Sequence, residues 1–336
     1  MSFKPIKHIG TASLKAGADE VLFLPLGGVG EIGMNLYCYG HKGRWLVVDF
    51  GVTFADHHAP GIDVITADIR FLEANRDKID GIVLTHSHED HIGALPYLWD
   101  VLQVPIYGSP FTYAMARTKL EENRAEDAVH LVKKIPMNKD VEIGSFKLQL
   151  VPMTHSIAEA CAVLIKTDIG NIFHTGDWKY DPEPQICDPI DEDQLRKIGE
   201  DDLLALVGDS TNAMEPGHAG SEAHAAEGLL EAVKSCENRV AVTMFATNVA
   251  RLQSAFRAAK ATNRKVAIVG RSIHRVMRCA QEAGYFKDLP EIIDDDQVLQ
   301  YPRNQVMLVC TGSQGEGRAA LARIAQDKHP VVRMSA

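Results

Sequence analysis

Short apolar blocks, punctuated by glycine and charge, run through residues 1–214 and predict strands and helices in mixed order. VLFLPL (21–26) is closed by glycines and reads as a strand. MNLYCYG (34–40) alternates polar and apolar, HKGR turns, and WLVVDFG (45–51) is apolar again, which predicts a hairpin or meander. DIRFLEANRDKI (68–79) has helical spacing, and DGIVLT (80–85) is a buried strand. IGALPYLWDVL (92–102) reads as helix and VPIYG (104–108) as strand. SPFTYAMARTKLEEN (109–123) reads as a helix capped by Ser109 with Pro110 at its first position. Hairpins are expected at 140–153 and 161–177, the second turning at 168–171, and LLALVGD (203–209) predicts a buried strand.

The rhythm changes near residue 215. EAHAAEGLLEAVKSC, NVARLQSAFRAAKAT and RSIHRVMRCAQEAG have helical spacing, and RVAVTMF, KVAIVG and QVMLVC are apolar strands between them. This alternation implies a parallel sheet with helices on its faces. The acidic run at 294–296 reads as a solvated loop. The expected division is a polar leader over 1–20, a first domain over 21–214 and a second, incomplete domain over 215–336.

Composition narrows the class. The chain has 336 residues, 46% hydrophobic and 24% charged, as in ordinary globular proteins, which excludes collagenous and low-complexity chains. No run approaches the roughly 18 apolar residues of a membrane span, so no membrane partner is expected. The first twenty residues lack the apolar core of a signal peptide, so export is not expected. Six cysteines (Cys38, Cys161, Cys187, Cys236, Cys279 and Cys310) form no CxxC pair and read as reduced thiols of a cytoplasmic protein. A net charge of −10 argues against a protein that coats nucleic acid indiscriminately. The charge is uneven: residues 1–214 hold 19 Lys/Arg against 32 Asp/Glu, and 215–336 hold 16 against 13. The second part is therefore the better candidate to face a polyanion.

Gly28-Val29-Gly30-Glu31-Ile32-Gly33 matches GxGxxG and follows a strand, with Asp49 further on. A dinucleotide fingerprint needs a helix from its glycines onward. Met34–Gly40 is not helical in pattern, so nucleotide binding is rejected.

Thr85-His86-Ser87-His88-Glu89-Asp90-His91 is different. Side chains of this kind, crowded behind an apolar strand, are costly to bury without a cation. The spacing is not that of the HExxH metalloprotease helix. In an extended segment alternate side chains share a side, so His86 and His88 can hold one ion, and Asp90 and His91 can turn toward a second. His155, in PMTHS, and Asp177, in HTGD, end hairpin strands and supply further ligands. A carboxylate such as Asp177 is a natural bridge between two cations. Asp49 reads as an anchor that orients the ligating histidines. His174 reads as a core residue or a support for the ligands.

HxHxDH with a later His and a TGD tripeptide resembles the metallo-β-lactamase fold, an αββα sandwich with its metals at the sheet edge. LGGVGEIGMN, HSHEDHIGALPYL, THSI, HTGDWKYD, GDSTNA, FATNVARLQ, GRSIHRVM and CTGSQGE resemble, in that order, the ribonuclease J family of bacteria over residues 21–325. The resemblance implies an α/β fold, a metallo-β-lactamase sandwich joined to a parallel α/β β-CASP domain. It implies two zinc ions, with manganese or magnesium as alternatives. His86, His88 and His155 would hold one, Asp90 and His91 the other, and Asp177 would bridge them. Asp209 matches the acidic motif that opens the β-CASP domain, which clamps RNA. Phe245, Thr247, Asn248, Arg271, Ser272, Ser313 and Gln314 stand in motifs expected to line its cleft. The implied activity is 5′-to-3′ exonuclease with endonuclease action on RNA, in rRNA processing and mRNA decay, with Asp90 and Asp177 orienting the attacking water.

Two departures accompany the resemblance. Ser87 stands where the family usually has Gly. The family's chain also returns after the β-CASP domain, with a phosphate-binding motif and a further metal-ligating His; no such segment follows CTGSQGE here, so an incomplete sandwich is expected, with an exposed face that would pair two copies as a homodimer. A hydrolase of small lactams, lactones or phosphoesters on the same metals, and an inactive metal- or RNA-binding fragment, are the alternative functions.

Overall fold

A computed structural model describes residues 14–55, 59–317, 319–330 and 332. Much of the expected leader lies outside these residues. Its last part is joined to the body: Lys42 and Gly43 donate backbone amides to the carbonyls of Gly17 and Ala16 at 2.9 and 2.8 Å.

Eight strands open the chain: β1 (Leu22–Gly27), β2 (Leu36–His41), β3 (Arg44–Val48), β4 (Val52–Phe54), β5 (Val64–Thr66), β6 (Ile79–Val83), β7 (Ile106–Gly108) and β8 (Val132–Lys134). Six of them form a sheet in the order β1-β2-β3-β6-β7-β8, and β4 and β5 pair as a separate ribbon. Five more strands, β9 (Asp140–Ile143), β10 (Phe146–Pro152), β11 (Cys161–Thr167), β12 (Gly170–His174) and β13 (Leu203–Val207), form a second sheet in the order β13-β12-β11-β10-β9. The helices of this part are α1 (Arg70–Ala74), α2 (Glu89–Ile92), α3 (Leu95–Leu102), α4 (Pro110–Glu122) and α5 (Glu192–Glu200).

The two sheets pack face to face through alternate residues. Tyr37, Tyr39, Leu46, Val48 and Val83 of the first sheet meet Phe146, Leu148, Leu150, Val163 and Ile165 of the second. The first sheet is covered on its other face too, where Trp45 meets Phe71 of α1 edge-on at 4.9 Å. Covering both faces explains why β2 and β3 are buried almost throughout. Ser109 accepts a hydrogen bond from the Thr112 amide at the start of α4, a cap worth about 1 kcal/mol.

The chain divides into two compact units. The first runs to Glu215 without 154–159 and 179–190; those two stretches group with the second unit, Pro216 onward. The second unit holds β14 (Val240–Thr243), β15 (Lys265–Val269), β16 (Ile292–Ile293) and β17 (Val306–Cys310) in the order β14-β17-β15-β16, all parallel. Its helices are α6 (Glu222–Lys234), α7 (Val249–Ala261), α8 (Arg271–Glu282) and α9 (Ala320–Ala325). The α/β alternation read from the sequence is present here. The acidic run is more ordered than a solvated loop, because Asp294 and Gln297 close a capping box on a 3-10 turn.

One strand departs from its sequence reading. LLALV was expected to be buried, yet Leu206 of β13 is 64% exposed. Among the described residues β13 pairs with β12 alone, so it is an edge strand. Gly28–Gly33 is a loop leading into β2 and no helix follows it, as the rejection of a dinucleotide site required.

Candidate metal centre

β3 and β6 are parallel neighbours, so their carboxyl ends deliver Asp49 and the His86–His91 segment to one place. Asp49 has a left-handed backbone (φ 62°) and is fully buried. Its carboxylate accepts the Thr85 amide at 2.8 Å, the Thr85 hydroxyl at 2.9 Å and His91 Nδ1 at 2.7 Å. Holding Nδ1 in this way turns His91 Nε2 outward, toward Asp177 Oδ1 at 3.3 Å and Asp90 Oδ2 at 3.4 Å. Burial pushes the His91 imidazole down, but Asp49, Asp177 and Asp90 together outweigh it and hold the ring well above its ordinary value.

Two glycines permit this packing. A Cβ on Gly51 would stand 1.6 Å from the Asp90 carbonyl oxygen. Gly176 (φ +57°) lets the turn that carries Asp177 lie against Thr85, where a Cβ would meet the Thr85 Cβ at 2.9 Å.

His86 and His88 flank Ser87 just before α2, with His86 Nε2 and His88 Nδ1 3.0 Å apart. His155 lies on the loop joining β10 to β11, whose neck is closed by the Met153 amide on the Ala160 carbonyl at 2.9 Å. His86, His88, His155 and Asp177 each offer a ligand atom within 4.8 Å of the others, and Asp90, His91 and Asp177 do the same. Asp177 belongs to both groups. Imidazole nitrogens and carboxylate oxygens are the donors that divalent transition metals take. Three carboxylates converging on one buried imidazole make a negative site that such a cation balances. By donor chemistry and by charge, the residues fit the metal.

Asp90, His91 and Asp177 line a cleft of about 380 Å³, with Gly28–Gly33 and Gly208–Thr211 on its rim. Asp209 borders the cleft, and its carboxylate accepts the amides of Trp178 at 3.5 Å and Thr211 at 2.8 Å, fixing the chain next to Asp177. His174 is buried, 2.8 Å from the Tyr39 hydroxyl, and burial lowers its pKa to about 4. It is a neutral core residue at the back of the cleft. Ser87 Oγ is buried and has no hydrogen-bond partner among the described residues.

Sequence reasoning missed Asn35 and Tyr37. Both line the cleft, and Asn35 Nδ2 lies 3.2 Å from Asp90 Oδ2 and 3.1 Å from His91 Nε2. The available signal was a carboxamide at the entry to an apolar strand, directly after a glycine loop.

The family model of the metallo-beta-lactamase superfamily matches residues 30–268, most of the chain and all of this centre. The chain belongs to the metallo-β-lactamase superfamily. The model described as ribonuclease J, beta-CASP domain, matches residues 237–336 of this superfamily member. It is 44% identical to Ribonuclease J of Sinorhizobium meliloti over 95% of its own length and 57% of the relative's. It is 37% identical to Ribonuclease J of Helicobacter pylori, over 92% of the chain and 45% of the relative. With Ribonuclease J2 of Bacillus subtilis it shares 36% identity, over 94% and 57%. The chain thus spans about half the length of these curated relatives. A crystal structure of a protein of unknown function from Enterococcus faecalis shares the fold: TM-score 0.58, 17% identity, over 85% of this chain and 76% of that one.

In the β-CASP part of this metallo-β-lactamase protein, the residues singled out for RNA follow three adjacent parallel strands. Phe245, Thr247 and Asn248 come after β14, Arg271 and Ser272 after β15, and Ser313 and Gln314 after β17. All seven therefore stand at one edge of the sheet. Phe245 is 50% exposed, and Arg271, Ser313 and Gln314 are also exposed. Asn248 has a structural task, since its side chain accepts the Arg251 amide and caps α7.

Proposed function

We propose that this chain hydrolyses RNA phosphodiesters at two zinc ions, one held by His86, His88, His155 and Asp177 and the other by Asp90, His91 and Asp177. The observation that carries the reading is the pair of donor groups sharing Asp177 at the cleft. The similarity to ribonuclease J proteins supplies the substrate class. Divalent cations held there lower the pKa of a water and offset the charge that builds on a phosphate. Asp90 and Asp177 would orient the attacking water in line with phosphorus. Asp49 and Thr85 keep the His91 ring from turning, so that Nε2 faces the reaction. Gly28–Gly33 and Gly208–Thr211 bound the space in which the scissile phosphate rests.

In the second unit, Phe245 stacks a base and Arg271 reaches a phosphate, the two contacts by which single-stranded RNA is held without a sequence code. The cleavage runs 5′ to 3′ with endonuclease action in addition. All six cysteines are free thiols, which supports a reducing, cytoplasmic setting.

The test is a time course on end-labelled, 5′-monophosphorylated RNA with Zn²⁺ or Mn²⁺. Mononucleotides that appear with the wild-type chain and are absent with Asp90→Ala/His91→Ala support the reading. Intact RNA in the presence of metal-loaded protein removes it.

A further inference from the structure

Residues 1–214 are acidic, with 19 Lys/Arg against 32 Asp/Glu, yet one edge of their first sheet gathers cations around aromatic rings. Among the described residues β8 pairs with β7 alone, and it carries Lys133 and Lys134, both exposed. Successive side chains of a strand point to opposite faces. Lys133 lies opposite Tyr107 of β7, with its Nζ 5.7 Å from the centre of that ring. Lys134 turns the other way, toward α4, where its Nζ stands 6.0 Å from the centre of the Tyr113 ring. Arg117, one turn further along α4, places its guanidinium carbon 5.5 Å from the same centre.

All three distances lie within the roughly 6 Å over which a ring face attracts a cation. Two tyrosines thus hold three long side chains in place. Arg117 Nε is also 3.6 Å from Glu121, a long contact between partly exposed groups that a phosphate can replace.

The patch shares a sheet edge with the metal centre. β3, β6, β7 and β8 are parallel, so their carboxyl ends stand side by side. The His86–His91 segment leaves β6 at that edge, and Lys134 closes β8 two strand spacings away, about 10 Å. Backbone bonds continue across the gap: Leu84 donates to the Tyr107 carbonyl at 2.8 Å and Ile135 to the Gly108 carbonyl at 2.9 Å. Lys119 of α4 ties the helix to the ligand segment, with its Nζ 2.6 Å from Glu89 Oε2. Arg117 and Lys119 are two residues apart and so point to nearly opposite sides of α4. The cations therefore stand just beyond α4 as seen from Glu89.

We propose that Arg117, Lys133 and Lys134, held by Tyr107 and Tyr113, form a second RNA contact that takes the phosphates of a strand a few nucleotides away from the metal centre. The inference rests on the ribonuclease reading above. Cations beside one another attract phosphates without regard to sequence. Rings that already hold them reduce the side-chain order lost on binding. A single strand is flexible enough to bend from the cleft over α4 to the sheet edge.

The test measures binding of labelled, hydrolysis-resistant 2′-O-methyl RNA to the zinc-loaded whole chain at several salt concentrations. A tetranucleotide is compared with a strand of about 20 nucleotides, for wild type, Lys133→Ala/Lys134→Ala and Arg117→Ala. The double variant is expected to bind the long strand about five- to tenfold more weakly. Its slope of log affinity against log salt should fall by about 1.4, or roughly 0.7 for each lost contact. Its tetranucleotide affinity and zinc content should match wild type. Unchanged long-strand affinity and slope would overturn the proposal. So would an equal loss for both lengths, which would put the lysines at the cleft. A double variant that keeps its RNA affinity but self-associates in light scattering would show that the lysines only keep a further strand off β8, and would also refute it. Should circular dichroism show the double variant unfolded, Arg117→Ala decides alone, by a slope lowered by about 0.7 or left unchanged. A wild-type chain that binds neither RNA removes the ribonuclease reading itself, and this inference with it.

Discussion

The two units carry their polar residues in opposite ways. In the first, Asp49, Thr85, His86 and His91 are buried and hydrogen bonded, and Asp49 is held in a left-handed backbone at the end of β3. In the second, Phe245, Arg271, Ser313 and Gln314 are exposed at the ends of parallel strands. A metal centre needs its ligands held in place, which buried groups behind them supply, as Asp49 does behind His91. A surface that follows a flexible strand of RNA needs charge and flat apolar area, which exposed residues supply with little order. Substitutions at the metal ligands and their supports should therefore act steeply and on metal content, and those at the strand ends from Phe245 to Gln314 mildly and on RNA affinity alone.

The largest effect is expected at Asp177, the residue common to both donor groups. Asp177→Ala should leave less than one tightly bound ion per chain and lower RNA hydrolysis by roughly a thousandfold, a loss comparable to that of a key electrostatic group. Metal analysis beside single-turnover kinetics would check it, and a variant that keeps two ions would break the contrast between the units. Asp49→Asn keeps the shape and tolerates the positive φ, but weakens the hold on His91 Nδ1. Metal affinity should fall about 10–100-fold, as for other groups that orient a ligand from behind.

Phe245→Ala is expected to weaken RNA binding by about 1–3 kcal/mol without changing metal content. Arg271→Ala should lower the slope of affinity against salt by about one phosphate contact. Filter binding at several salt concentrations would show both, and a change in metal content in either variant would erase the contrast.

His174 gives a pH signature. Its folded pKa of about 4 lies below the ordinary 6.5, so in this interval the unfolded chain binds the proton and the folded chain does not. Stability of metal-free protein should therefore fall as pH drops from 6.5 toward 4. His174→Gln should flatten that slope in urea unfolding series. The smallest change is expected at Ser87, whose buried hydroxyl has no partner among the described residues. Ser87→Ala should leave thermal stability unchanged or raise it by at most about 1 kcal/mol.

How much the sequence revealed follows the same division. The strands and the parallel domain were legible because apolar runs such as DGIVLT and KVAIVG, bounded by glycine and charge, favour strands; the sandwich was implied by the family resemblance. The His86–His91 segment stood out because charge behind an apolar strand is expensive unless it has a purpose. Asn35 and Tyr37 were overlooked, since an amide at the entry to a strand and a phenol within it look like ordinary core edges. Their role emerges only when Gly51 and Asp90 are brought beside them in space. The exposure of β13 was hidden for a similar reason: Leu206 has the same pattern whether or not a further strand pairs with it.

The most direct test of the central claim is the number of divalent ions per chain, counted by elemental analysis after dialysis against Zn²⁺. Two ions in the wild type, one in Asp90→Ala/His91→Ala and fewer than one in Asp177→Ala is the result that two groups sharing a carboxylate predict. Two ions retained in Asp90→Ala/His91→Ala, or none in the wild type, would contradict it.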